Sequence, residues 1–141
     1  MGDPQSVDEW LALAKRHEAA ARAIAEDRDA CGLTMHHCGT AVECCIKAYI
    51  MHAERLNRWP TRGERDELFA HDLRKLMLIA DITVSTEAPF APGWHVMSQW
   101  DRNQDYEPKR TPRRVARSYV EAAFGEDGIA TWIRRSLLRR S

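Results

Sequence analysis

The residues from Thr34 to Leu56 constrain the fold most. Met35, Cys38, Val42, Cys45, Ile46, Tyr49, Ala53 and Leu56 fall on one helical stripe in a near-heptad rhythm, with no alternation a strand could use. Such a stripe cannot stay in water and must be covered by other helices, so it predicts an antiparallel bundle. Cys31, Cys38 and Cys45 repeat every seven residues, and Cys44 adds a fourth thiol. That spacing places them on one helix face as small reduced hydrophobes, unlike a secreted disulfide framework. Gly39 lies within the segment at a cost of about 1 kcal/mol against Ala, which points to a close helix crossing.

The flanking segments read the same way. Ser6 and Glu9 form an S-x-x-E capping box. Val7, Trp10, Leu11, Ala14, Ala21, Ile24 and Ala25 then mark a first helix, with His17 in its stripe and an end near Cys31 and Gly32. A third helix is predicted from Glu64 to Ala80, with Phe69, Leu73, Leu76, Met77 and Ala80 inward. From Asp81 to Pro112 the rhythm breaks around Pro89, Pro92, Gly93 and Pro108, leaving a long loop with a brief helix at 94–101. Thr111 as N-cap and Pro112 at the first helical position restart order. Val115, Tyr119, Ala122, Ile129, Ile133 and Leu137 share one face of a continuous helix, while Gly125 and Gly128 argue for two shorter ones; both readings stand. The prediction is a single all-α domain over residues 1–141, a bundle of four to five helices with a long loop before the C-terminal helix.

Composition narrows the class. The 141 residues suit one domain, and 30% charged against 44% hydrophobic is a globular balance. No apolar run is long enough for a membrane span, and the first residues lack the pattern of a signal peptide. A soluble, cytoplasmic protein with no membrane partner is expected. The net charge of zero hides an asymmetry: residues 1–107 carry 12 basic and 18 acidic side chains, residues 108–141 carry 9 and 3. The basic end either meets phosphate, docks on an acidic partner or second copy, or pairs within the chain. Arg113 and Arg117 are one turn apart, as are Arg110 and Arg114, a helix face able to follow a phosphate backbone. No base-reading motif accompanies them.

Three blocks resemble one family. Gly39-Thr-Ala-Val-Glu43-Cys-Cys-Ile-Lys47-Ala, then His71-Asp72-Leu73-x-x-Leu76, then Ser98-Gln-Trp100-x-x-x-x-Asp105-Tyr106 with its Thr111-Pro112 helix start, are similar to the HEPN domain over about residues 8 to 138. The resemblance implies a helical bundle that forms a homodimer. It also implies a setting in toxin–antitoxin or defence systems, often beside a paired nucleotidyltransferase. Many such proteins are metal-independent ribonucleases, and others bind RNA or a nucleotide without cutting.

The ribonuclease members carry Arg with a polar neighbour and then, after four to six intervening residues, His; the Arg steadies phosphate charge and the His moves a proton. Arg102-Asn103 supplies the first half here, but positions 107 to 109 hold Glu107, Pro108 and Lys109. In a second register Tyr106 matches and Asp105 stands where Arg would be. The leading expectation is therefore a binding or accessory member with an incomplete motif. The alternative is an active endoribonuclease using Arg102, with His95 or Glu107 as the proton-transfer group.

Three more positions have two readings each. Glu43 and Lys47, at i and i+4, form either an exposed helix pair or a pair in which Glu43 faces the pocket and holds Arg102. His71 either bonds within the core or faces the groove. A third enzyme class, the HD-type metal phosphohydrolase, would draw on His36 or His37, His71-Asp72, and Asp81, Asp101 or Asp105. His36, His37, Cys38, Cys44, Cys45 and His52 crowd one helix, yet no two are spaced to meet at one ion. No metal site and no cofactor is expected.

Overall fold

The computed structural model describes residues 2–27, 29–101 and 112–140, and it is an all-α bundle, as the periodicity predicts. Its elements are α1 (Val7–Ile24), α2 (Cys31–Ala53), a 3₁₀ turn (Asp66–Phe69), α3 (Leu73–Ile79), α4 (Ala91–Met97), α5 (Arg113–Phe124) and α6 (Ile129–Arg140). None of the described helices is long and apolar enough to cross a membrane.

Helix α2 is the axis. α1, α3, α5 and α6 pack on it, and α4 lies on α5. The stripe predicts one buried face, but every residue from 41 to 51 is buried, so neighbours enclose the whole circumference. Ile46 and Ile50 are fully buried, each contributing about 1.5–3 kcal/mol by leaving water. The four cysteines are free and buried, as their spacing suggests. Burial drives the Cys38 thiol up to about 12 and the Cys45 thiol to about 11, so both stay protonated.

Helix α1 starts where the capping box places it. Ser6 Oγ accepts the Glu9 N–H at 3.1 Å, but the Glu9 carboxylate reaches the N–H of Gln5, not Ser6, at 3.0 Å. The helix ends at Ile24, well before Cys31. Cys31 instead opens α2, its thiol directed at the carbonyl of Asp27 at 3.3 Å, and Gly32 lies inside the second helix. α1 and α2 are antiparallel, bringing Trp10 beside Lys47 and His17 beside His37.

Two helix ends differ from the prediction for a shared reason. α2 stops at Ala53 and α3 at Ile79, each followed by a left-handed residue, Arg55 (φ 56°) and Asp81 (φ 57°). In both, the next N–H turns back to the helix: Leu56 to Met51 O at 3.0 Å, Ile82 to Met77 O at 3.1 Å. This is the Schellman arrangement, and without glycine at the left-handed position it leaves no mark in the sequence.

The predicted third helix is divided. The 3₁₀ turn ends at Phe69, Ala70 is extended, and Asp72 caps α3 by accepting the Arg74 N–H at 2.9 Å. The short helix predicted at 94–101 lies at Ala91–Met97 instead, with Pro92 in its first turn. Pro112 is the N-cap of α5 and not its first helical residue, while Thr111 lies outside the described residues. The C-terminal segment is two helices, not one. A side chain at Gly128 would overlap the Ala123 carbonyl, which is the close approach the turn requires.

Gly39 has a different partner from the one its position suggests. A Cβ there would collide with the indole of Trp100, so the glycine makes room for a ring and not for a crossing helix. The close helix crossing is at Gly93, where a Cβ would lie 2.6 Å from the Ala122 carbonyl oxygen of α5.

Candidate functional site

Between α1, α2 and the chain around the 3₁₀ turn lies a cleft of about 550 Å³ that gathers many of the molecule's ionisable groups. Its floor is Glu43 and Lys47. The pair is not on the surface: the side chains are 9% and 5% exposed, and Lys47 Nζ donates to Glu43 Oε2 at 3.1 Å. Lys47 also lies over Trp10 at 5.3 Å and Trp59 at 5.8 Å, whose rings meet edge-on at 5.0 Å. The indole faces supply part of the stabilisation that water would otherwise give the ammonium.

The break after the 3₁₀ turn brings His71 to this pair. Its Nδ1 is 3.1 Å from Glu43 Oε1 and 3.2 Å from Oε2. The ring is 49% exposed, so it joins the buried carboxylate to the open cleft. Glu43 and His71 both line this cleft. Arg102, which Glu43 was expected to hold, lies outside the described residues.

A second imidazole group lines the α1 side. His17 and His37 are 2.9 Å apart, Nδ1 to Nδ1, and His36 lines the cleft beside them. One proton serves that contact, because two would repel. Burial first, and then His37 and His36, hold the His17 pKa below its ordinary value. Thr40 Oγ1 donates to the His36 carbonyl at 2.9 Å, and burial pushes the Cys44 thiol far up. At the rim Arg62 is exposed and pairs with Asp66 at 2.9 Å.

The other expected residues are elsewhere. His95 is exposed on α4, its ring 3.2 Å from the Gln99 amide, and it does not line the cleft. Asn103, Asp105, Tyr106 and Glu107 lie outside the described residues. Arg113, Arg114 and Arg117 are on α5; Arg117 meets Glu26 at 2.7 Å and Arg134 meets Glu18 at 2.6 Å, so part of the basic end pairs within the chain. Asp72 is engaged in capping α3, and among the described residues no three His, Cys, Asp or Glu converge as a metal site.

Sequence reasoning missed the cleft roles of Arg62, Trp10 and Thr40, and the placing of Trp59 against Lys47. It also set His17 only within a core stripe. The one available signal was that imidazole among apolar positions, since its partner is 20 residues away on another helix. Compared with protein-family models, with curated proteins and with solved structures, the chain matches none.

Proposed function

We propose that this chain is a HEPN-type binding protein that takes RNA or a nucleotide in the α1–α2 cleft. The observation that carries the reading is the lining: Arg62, Lys47, His17, His36 and His71 surround a single buried carboxylate, Glu43. Arg62 at the rim and imidazoles beneath it suit a phosphate group, which accepts several charge-assisted hydrogen bonds at once. Trp10 and Phe69 add aromatic lining near which a base has apolar surface. Outside the cleft, exposed Arg114 on α5 offers a second phosphate contact.

The family resemblance supplies the setting. It supports a cytoplasmic homodimer in a prokaryotic defence or toxin–antitoxin system, working with a paired nucleotidyltransferase. The second reading is an active endoribonuclease with a non-standard proton donor. It is favoured by one contact, Glu43 with His71, which holds an imidazole at the cleft where His95 is not.

The test is fluorescence anisotropy with a short single-stranded RNA, competed with adenosine monophosphate, across a salt series. Arg62→Ala is expected to weaken binding and reduce the log–log salt slope by about one. Binding of neither RNA nor nucleotide, or an Arg62→Ala variant equal to the parent in affinity and slope, would sink the reading.

A further inference from the structure

We infer that the trough between the 3₁₀ turn and α3 is a second ligand subsite. It holds a neutral ring of the nucleobase kind, joined through a phosphate at Arg62 to the group bound in the α1–α2 cleft. This rests on the reading that the cleft takes a nucleotide or RNA. The trough encloses about 480 Å³, against about 550 Å³ for the cleft. Arg62 and Phe69 line both, so the two cavities meet along one wall. A ligand long enough to cross that wall occupies both.

The chain builds the trough from side chains the core does not use. On α3, Leu73, Leu76 and Met77 are buried, while Lys75, Leu78 and Ile79 share the other face at i, i+3 and i+4. Extended backbone at Ala70 separates the 3₁₀ turn from α3, and that outer face lines the trough with Phe69 and Ala70. Leu78 is 80% exposed, the most exposed large hydrophobic side chain among the described residues. A single exposed leucine is ordinary. One that lines a concave surface with Phe69, Ala70 and Ile79 makes an apolar site open to a ligand.

The charges decide what enters. Arg62 and Lys75 are balanced by Asp66 and Glu67, so the lining is neutral as a whole and suits a neutral group. Asp66 is bonded to Arg62 and Glu67 to Arg65, and each carboxylate keeps further accepting capacity. Acceptors beside apolar walls fit a flat ring with N–H groups on its edge, whereas an aliphatic tail would leave them unused. The phosphate belongs at the shared wall. Arg62 is exposed, and its surface pair with Asp66 is weak enough for the guanidinium to exchange that carboxylate for a phosphate. The same guanidinium lies 5.9 Å from the centre of the Phe69 ring, a surface on which a base stacks. Two ligands carry this chemistry: two consecutive nucleotides of a strand, and two nucleosides joined 5′ to 5′ through phosphates.

The experiment is calorimetric titration of the parent and of Leu78→Ala with adenosine monophosphate, with a 3′–5′-linked adenine dinucleotide and with diadenosine diphosphate. Two abasic forms of the first dinucleotide, each lacking one base, complete the series. Leu78 is exposed, so the variant keeps the fold. At least one dinucleotide should bind the parent about tenfold tighter than the monophosphate, the scale of one stacked base. Whichever linkage gains identifies the source of the second ring. Leu78→Ala should remove most of that gain and leave monophosphate affinity unchanged, and each abasic form should fall back to monophosphate affinity. Equal binding of monophosphate and both dinucleotides, or a gain that survives Leu78→Ala or the loss of a base, would overturn the subsite and leave the cleft reading intact. Failure to bind any of these ligands or RNA would overturn both.

Discussion

Lys47 and Glu43 form an ion pair of 3.1 Å, one turn apart on α2, with both side chains inside the bundle. Exposed pairs of this spacing contribute only about 0.3–0.5 kcal/mol, but here each charge has given up water for the other. Glu43→Ala would leave the ammonium beneath two indoles without its counter-charge. We expect a loss of about 3–5 kcal/mol, as for breaking a buried pair from one side. The double variant Glu43→Ala with Lys47→Met should recover part of that loss. Urea denaturation of the three proteins measures both, and a single variant as stable as the parent would show that water reaches the pair.

Gly39 gives a packing prediction. Leu at this position would drive a side chain into the Trp100 indole, which is buried against it. Overfilling of this kind costs typically about 1–3 kcal/mol, and Gly39→Leu should show it in thermal melting. Adding Trp100→Ala should relieve the overlap, so the pair should be non-additive. Additive effects would place the ring elsewhere.

The burial of His17, with His37 beside it, makes stability depend on pH. The His17 pKa is lower in the folded chain than the ordinary 6.5, so the unfolded chain binds the proton more readily. Its contribution is therefore fully present above pH 6.5 and is lost as pH falls through the lower folded value. The melting temperature should drop on acidification below about pH 6.5, and His17→Gln should flatten that slope. A parent and variant with parallel pH curves would contradict the assignment.

Arg117 and Glu26 set a limit on the basic end. Their contact is exposed and joins α5 to the chain just after α1, so its loss should cost little stability. Replacing Arg113, Arg114 and Arg117 together with Ala should leave the melt nearly unchanged while flattening the salt slope of RNA binding. If the slope holds, α5 serves another surface.

Much of the bundle was readable because helical periodicity reports burial directly. The stripe of α2 and the capping box at Ser6 each rest on neighbours within a few residues, whereas the spacing leaves the break at Gly125–Gly128 open and only the structure shows two helices. The site was readable in part for the same reason: Glu43 and Lys47 are one turn apart. Their burial was not readable, because an i,i+4 pair looks the same in water and beneath Trp10 and Trp59. The ends of α2 and α3 escaped notice because Arg55 and Asp81 hold conformations that glycine usually marks.

The sequence alone determined an all-α chain with a long apolar axis, since apolar residues at helical spacing have few ways to leave water. Only the tertiary structure decided that His71 meets Glu43 across 28 positions and that His17 meets His37 across 20. Those contacts depend on where a short extended stretch at Ala70 interrupts the third helix and on how α1 turns back along α2. Such geometry is fixed by packing between segments, to which local spacing is blind.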